Sequence, residues 1–431
     1  MDQARIKRMG VQIGVAWLCI AGGVGTPAVA ADDVSSELRA LKERVEALER
    51  GDKAVDVTEK DGHGHRLHPI HSLGEAKISG DVTMIGQTTP SVAPGEQSEG
   101  TISMDLYFEH QVSESGLVLV HLDLQQGQGF QFFPVFTAPN GNTTGPNNDI
   151  ETFDGQTALH LDQAFYEHRW LGERVVLTVG QYDPTAFFDT NAYANSERTQ
   201  FLAGIFGVNP TLEFGGTDNF YGFGGVLQVK PLKHINLSLG AMEGDGDYQE
   251  MFTRPWSIAE IDIDLDLFGR GGTYRFFAWQ NYRHHKADSS LNTDRENRGV
   301  GFNFDQALTN HVGMWGRYGV QDGQIAHFDR SASAGIQLAG GAIGRPHDAL
   351  GVGYGLTMIG DEYEAVQAAG GNPQFNANEG YFEAYYRYVV SGDGELLGVS
   401  LSPDVQYITN AGGDRSIDPI VVYGFRLQAF F

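Results

Sequence analysis

Apolar and polar residues alternate with a period of two over most of the chain. Between residues 77 and 431, sixteen stretches alternate in this way. In residues 258–267, for example, Ile261, Ile263 and Leu265 alternate with acidic residues. Other clear cases are residues 101–110, 379–388 and 420–431. Because successive side chains of a β-strand point to opposite faces, the pattern predicts strands with one apolar and one polar face.

The connections between these stretches alternate in length. Seven are short, including residues 113–116, 171–173, 231–233 and 268–271. The longer ones fall near residues 88–100, 126–158, 183–218, 244–256, 284–297, 320–329, 359–378 and 408–418. Short turns at one rim and long loops at the other are typical of a transmembrane barrel with an even number of strands. A soluble β-sandwich needs no such order of loops, and a propeller or β-helix would show an internal repeat, which the sequence lacks. We therefore expect an all-β fold, a transmembrane antiparallel β-barrel of about sixteen strands over residues 76–431.

The N-terminal region predicts export and a helix in front of the barrel. Residues 1–30 combine a basic start, an apolar run and an Ala-x-Ala site near Ala30, which predicts a signal peptide. Cys19, the single cysteine of the chain, lies inside it. Residues 31–50 carry apolar residues at heptad spacing, which predicts a short coiled-coil helix. The helix either joins identical chains, with three as the favoured number, or packs alone as an amphipathic helix.

Residues 51–75 form a polar linker that is rich in histidine. Four imidazoles at this density can bind Zn²⁺ or Cu²⁺, and they belong to His63, His65, His68 and His71. The alternative is a solvated linker whose histidines titrate near neutral pH. We favour the solvated linker, because no cysteine or close carboxylate pair completes a metal site, and we expect no cofactor.

The charge balance excludes one large class of partner. The chain of 431 residues carries 55 Asp and Glu against 29 Lys and Arg, a formal net charge of −26. Binding to phosphate backbones requires a basic surface, so nucleic acid is excluded as a partner. Beyond the signal peptide, no apolar run is long enough to predict a transmembrane helix.

The polar faces of the strands predict the inner wall of a water-filled bore, since sixteen strands leave a channel rather than a filled core. Aromatic rings match the C–H faces of sugars, and charged or amide groups match the hydroxyls. The candidate pore-lining residues from this pattern are Arg275, Trp279, Asn281, Arg283, Trp315, Arg317, Arg426, Glu260, Asp262 and Asp264. Composition alone fits the passage of sugars and of hydrated ions about equally well.

Several segments resemble the carbohydrate-selective outer-membrane porin family of Gram-negative bacteria. Residues 180–204 (GQYDPTAFFDTNAYANSERTQFLAG) resemble the family's segment leading into the long loop that constricts the pore, and residues 272–283 are similar to its central strand. Residues 383–390, 402–413 and 421–431 resemble its closing strands, where Glu383, Arg387, Asp404 and Gln406 lie. The resemblance implies a sixteen-strand passive channel for neutral sugars with a basic, tryptophan-containing constriction. The coiled coil, the linker and the acidic residues at 260–266 depart from the family pattern.

Together these features predict a porin for passive, carbohydrate-selective diffusion in the Gram-negative outer membrane, with the N-terminal helix and linker in the periplasm. Its expected partners are small sugars, outer-membrane lipid and further copies of the chain. The alternatives are a general diffusion porin that prefers cations and a structural barrel that tethers the envelope. We do not expect an enzyme, because the sequence contains no Gly-x-Ser-x-Gly motif and its histidines outside the linker are scattered. Residues 183–218 are expected to fold into the bore.

Overall fold

The structure is a computed structural model of the chain. It describes residues 71–73, 76–90, 98–127, 129–130, 135–141, 158–213, 221–244, 253–267, 269–286, 294–391 and 398–431. The predicted signal peptide and coiled-coil helix lie outside these residues, as do His63, His65 and His68 of the predicted linker.

The described strands form one closed antiparallel barrel. A short strand, β1 (His71–Leu73), pairs with the first barrel strand. The barrel strands are β2 (Ala76–Thr88), β3 (Ser98–Ser113), β4 (Gly116–Gln126), β5 (Ala158–Trp170), β6 (Val175–Tyr182), β7 (Gly222–Leu232), β8 (Ile235–Glu243), β9 (Pro255–Leu267), β10 (Arg270–Lys286), β11 (Asp294–Ala307), β12 (Val312–Gln321), β13 (Phe328–Ala339), β14 (Ala349–Ile359), β15 (Glu379–Ser391), β16 (Gly398–Thr409) and β17 (Ile420–Phe430). Strand β17 pairs with β2, from Tyr423 opposite Thr88 to Phe430 opposite Asp81. The predicted barrel of about sixteen strands is confirmed.

Helices occur in the connections. In the described parts of the connections, they are α1 (Gly204–Gly207), α2 (Asp361–Ala369) and three 3₁₀ helices at Pro184–Ala186, Gly340–Ile343 and Ala411–Gly413. Within the described residues, no helix has the length and apolar character needed to cross a membrane.

The two rims differ in the length of their connections, as predicted. The longest connections, residues 127–157, 183–221 and 360–378, all follow even-numbered strands. The difference is smaller than expected at two places, since residues 340–348 join β13 to β14 at the short-turn rim and only residues 322–327 join β12 to β13 at the other.

The two faces of the strands differ in exposure. On β10, Phe276 is 49% exposed, whereas Arg275 is 1% exposed. On β17, Tyr423 and Phe425 are about half exposed, and Arg426 is buried. The apolar faces therefore point outward, where a membrane supplies lipid, and most ionisable side chains point into the barrel.

The inward face also carries large apolar side chains, of which the alternation predicted Trp315 but not the others named here. Trp256, Trp315, Tyr381 and Tyr385 lie on inward positions of β9, β12 and β15 and are almost completely buried. They pack against residues from the connections that enter the barrel. An alternating pattern identifies the two faces but not the loops that cover one of them.

Leu239 tests the outward orientation, because it lies at the centre of β8 and is 55% exposed. We expect Leu239→Arg to destabilise the barrel folded in phospholipid vesicles by about 2–4 kcal/mol. This is the cost of an arginine on the lipid face near the bilayer midplane. Leu239→Phe should fold normally, since it keeps an apolar surface. Denaturant titration of vesicle-folded protein measures both values, and equal stability of the arginine variant and the wild type would contradict the assignment.

A charged cluster stabilises the connection between β13 and β14. The guanidinium of Arg345 donates to both carboxylate oxygens of Asp348, at 2.5 and 3.0 Å. The Tyr386 hydroxyl and the Val389 amide donate to the same carboxylate, at 2.5 and 2.9 Å. Burial alone would raise the pKa of Asp348, but these hydrogen bonds outweigh burial and lower the pKa to about 2.

The lowered pKa of Asp348 predicts a pH-dependent contribution to stability. A carboxyl group whose pKa falls on folding stabilises the folded state above its ordinary pKa, about 4, and this contribution is lost as the pH falls toward 2. Asp348→Asn should lower the free energy of unfolding near neutral pH by on the order of 1 kcal/mol, because water screens the partly exposed Arg345. Denaturant titrations near pH 7 and pH 2 should show the difference shrinking in acid, with Asp329→Asn at an exposed ion pair as the control. A difference of the same size at both pH values would refute this role.

Candidate functional site

The described part of the connection between β6 and β7 lies inside the barrel, as predicted. We call this part, residues 183–213, the constriction loop. Its first turn is fixed by Asp183, whose Oδ1 accepts the Thr185 amide at 2.8 Å and the Thr185 hydroxyl at 2.7 Å. The chain thereby turns away from the rim directly after β6 and enters the bore.

Carboxylates on the barrel wall hold the backbone of the constriction loop. Glu383 of β15 accepts the Leu202 amide at 2.5 Å with Oε1 and the Ala203 amide at 2.9 Å with Oε2. Glu260 of β9 accepts the Asp189 amide at 2.9 Å. A buried carboxyl oxygen and a buried amide satisfy each other, so these contacts fix the loop at two separate parts of the wall.

Arg317 of β12 binds the loop from a fully buried position. Its Nε donates to Asp189 Oδ2 at 3.0 Å, and its Nη1 donates to the carbonyl oxygens of Ala194 and Phe206 at 2.7 Å each. One guanidinium thus joins two distant parts of the loop to the same strand. This geometry uses the planar fork of arginine, which lysine does not offer.

Two further arginines complete the attachment. Arg426 of β17 donates to the carbonyl oxygens of Glu197 and Gln200, at 2.5 and 3.0 Å. Arg198 belongs to the loop and bonds to the wall, with its Nη2 2.7 Å from Asp105 Oδ1 on β3. The loop is therefore bonded both to β3, near the start of the barrel sequence, and to β17, its last strand.

Aromatic packing covers the centre of the loop. Phe201 lies against Trp315 and Tyr385, with ring centroids 5.4 and 5.0 Å apart, and Phe206 lies 5.7 Å from Trp315. Gly353 of β14 makes room for these rings, because a Cβ atom there would lie 3.0 Å from Phe201. The apolar residues on the inward face thus hold the loop rather than face water.

A second segment, residues 135–141, lies beside the constriction loop. The Gly141 amide donates to the Leu202 carbonyl at 2.7 Å, and the Gly204 amide donates to the Ala138 carbonyl at 2.9 Å. The sequence predicted a long connection at this place but gave no sign that it enters the barrel.

Most of the predicted pore residues fall into a first group on three strands. Strands β9, β10 and β12 carry Glu260, Asp262, Asp264, Arg275, Trp279, Asn281, Trp315 and Arg317. Arg275 donates to Asp305 Oδ2 at 2.7 Å, and Asn281 donates to Glu213 Oε1 at 2.8 Å. Trp279 and Trp315 are 4% and 0% exposed. Arg283 is also on β10, and only its position on the strand is described.

A second group lies on the closing strands. It consists of Glu383, Arg387, Asp404, Gln406 and Arg426. Glu383 and Gln406 are direct cross-strand partners. Gln406 Nε2 donates to Asp404 Oδ1 at 3.2 Å and to the Pro139 carbonyl at 2.7 Å, which joins this group to the second inward segment.

The predicted residues divide by their access to water. Asp264 is exposed, and Asp262 and Arg387 are half-buried, whereas nearly all the others with described side chains are buried beneath the loop. Arg387 Nε is buried and has no hydrogen-bond partner in the described part of the chain, and the guanidinium lies 5.8 Å from the ring of Phe430. The buried residues position the loop, and the accessible ones can meet a solute.

Two residues that hold the site were not among the predicted ones. Asp189 and Arg198 belong to the constriction loop, where they bond to Arg317 and Asp105. Both fall in the segment 180–204. The charged residues of that segment could have identified them. A charge on a loop inside a barrel is buried, so it needs a bonding partner on the wall.

The sequence matches a family model described as "Carbohydrate-selective porin, OprB family" over residues 120–431. The chain belongs to this family. The matched region includes the constriction loop and both groups of predicted residues, whereas Asp105, which bonds to Arg198 of the loop, lies outside it. The family and the fold are those of a channel that selects carbohydrates, which confirms the resemblance seen in the sequence.

Solved structures share the fold of this porin. The high-pH structure of Pseudomonas putida OprB has a TM-score of 0.66 at 15% identity, covering 83% of this chain and 94% of that one. The low-pH structure of the same protein has a TM-score of 0.53 at 12% identity, covering 83% and 93%. The channel DcaP of Acinetobacter baumannii has a TM-score of 0.50 at 12% identity, covering 85% and 100%. No curated protein matches the chain.

Arg317 gives a direct test of how the loop is held. Arg317→Ala should weaken the attachment by about 3–5 kcal/mol, because it leaves the buried Asp189 carboxylate without its arginine. We expect a larger and noisier single-channel conductance in planar bilayers, with an unchanged β-sheet circular dichroism spectrum. Arg330→Ala, at an exposed ion pair, is the control and should behave like the wild type. Wild-type conductance in a folded Arg317→Ala barrel would show that this arginine does not hold the loop.

Proposed function

We propose that this porin lets small sugars diffuse passively across the outer membrane into the periplasm, and that the constriction loop and the wall facing it select them. The observation that carries the proposal is the attachment of the loop inside the barrel. Glu383, Arg317 and Arg426 bond to its backbone from three different strands. A loop held in this way narrows the bore and keeps a fixed shape, which allows selection by size and hydrogen bonding.

Arg387 is the residue that we propose for direct contact with sugar. It is half-buried, it lies among the predicted residues of the closing strands, and within the described residues its Nε makes no hydrogen bond. A guanidinium offers several donors to neighbouring sugar hydroxyls. Asp262 and Asp264 on β9 offer acceptors at the accessible part of the wall.

The course of the chain supports a periplasmic position for the N-terminal region. Strand β2 begins at Ala76, opposite His110 and near the turn between β3 and β4. The linker therefore joins the barrel at the rim of short turns, which faces the periplasm in outer-membrane barrels. We propose that residues 1–30 direct export, that the linker and the helix of residues 31–50 lie in the periplasm, and that this helix joins three copies of the chain.

Arg387→Met tests the contact with sugar. In planar bilayers, added sugar should reduce the current of the wild-type channel in a saturable way. The variant should need an about five-fold higher sugar concentration for half-block, which corresponds to the loss of about 1 kcal/mol from one hydrogen bond.

Arg330→Met is the matched control for this test, because it removes an arginine from an exposed position. It should leave the half-blocking concentration unchanged. The absence of sugar block in the wild-type channel would refute the proposed function, and equal block in Arg387→Met and the wild type would refute the role of Arg387 alone.

A further inference from the structure

A cluster of possible metal ligands lies on the part of the wall built by β3, β4 and β5. Asp105, His121 and Asp162 all point inward and are at most 4% exposed. Their ligand atoms lie within 4.8 Å of one another. His121 Nε2 lies 2.7 Å from Asp105 Oδ1, and His121 Nδ1 lies 3.8 Å from Asp162 Oδ2. These residues were not predicted as a site.

An irregularity in β5 brings Asp162 into the cluster. His121 of β4 pairs with Gln163, and Leu122 pairs with Leu161, so Asp162 has no cross-strand partner in this ladder. As a result, both Asp162 and Gln163 are buried, although adjacent strand residues normally alternate between the two faces. A β-bulge that redirects a side chain is a local feature often found beside functional sites.

The imidazole of His121 is held in a defined orientation. Its ring stacks on Tyr107, with centroids 4.1 Å apart and planes 10° from parallel. Gln163 Nε2 lies 3.4 Å from His121 Nδ1. These contacts fix the plane of the ring and direct Nε2 toward Asp105.

Asp123 is an independent sign that the cluster can accept a ligand. It is 3% exposed and is the cross-strand partner of Asp105. Its Oδ1 is buried and has no hydrogen-bond partner among the described residues. Asp123 also lies close enough to Asp162 to repel its carboxylate. A buried carboxylate oxygen without a donor is unfavourable unless a cation or a proton satisfies it.

Acidic side chains are concentrated around the cluster. Five aspartates act on one another electrostatically around the cluster, namely Asp81, Asp105, Asp123, Asp162 and Asp183. Among the described residues, Arg198 forms ion pairs with Asp81 and Asp105, and His121 Nε2 lies within hydrogen-bonding distance of Asp105. A bound cation would reduce the repulsion between these carboxylates.

We propose that Asp105, His121 and Asp162 bind a divalent transition-metal ion, with Asp123 as an additional oxygen ligand. One imidazole nitrogen together with carboxylate oxygens is a ligand set that Zn²⁺ and neighbouring first-row ions accept. Asp105 Oδ1 also accepts Arg198 of the constriction loop at 2.7 Å. The ion and the loop would therefore share a carboxylate, which places the metal site at an attachment point of the loop.

The linker histidines require a separate control, because His63, His65, His68 and His71 can also bind Zn²⁺. The test therefore uses the full chain in detergent micelles, stripped of metal with a chelator, with these four histidines replaced by alanine. Equilibrium dialysis against Zn²⁺ with elemental analysis gives the number of bound ions. We expect one ion per chain in this linker variant.

His121→Gln and Asp162→Asn, each made in the linker variant, should weaken Zn²⁺ binding at least ten-fold. His311→Gln, at an exposed histidine, is the matched control and should bind like its parent. Heat-modifiable mobility in electrophoresis confirms that each barrel is folded, and Asp162→Asn decides the outcome if His121→Gln does not fold. Absence of a bound ion in the linker variant, or unchanged Zn²⁺ affinity in a folded Asp162→Asn variant, would overturn the proposal.

Discussion

Backbone amides and carbonyls that cross a bilayer must find their partners within the protein, and the rest of this structure depends on that constraint. The pairing of β17 with β2 meets it, because it closes the ladder. Closure leaves one surface for lipid and one for the interior. The outer surface must be apolar, so the ionisable residues of the strands are confined to the inward face.

The inward charges and the constriction loop satisfy each other. A buried carboxylate such as Glu383 needs hydrogen-bond donors, and a loop inside a barrel has amides without strand partners. Glu383 takes two of those amides, and Arg317 takes two of the loop carbonyls. Charged residues that an open channel would present to water are thus used to fix the loop, and a smaller accessible set, including Arg387, remains for solutes.

The barrel could be predicted from the sequence because the features that specify it are local. Alternation along a strand such as β10 gives the two faces, and the order of short and long connections gives closure. The segment 180–204 resembled a constricting loop, and the loop does enter the bore. The contacts of that loop with the wall could not be predicted from the sequence. Asp189 and Arg317, for example, are separated by 128 residues and meet only because the barrel closes. For the same reason, alternation could not show that Trp315 is covered by Phe201.

The position of the constriction loop is most directly measured by disulfide cross-linking of Ile205→Cys with Gly355→Cys in outer-membrane vesicles. A Cβ atom at position 355 would lie 2.7 Å from Ile205 Cδ1, and the only natural cysteine, Cys19, lies in the predicted signal peptide. The loop position described above predicts an efficient cross-link on oxidation, and none when Ile205→Cys is combined with Phe276→Cys on the outer face. Two thiols that both react with a small alkylating reagent but form no cross-link would contradict a loop held inside the barrel.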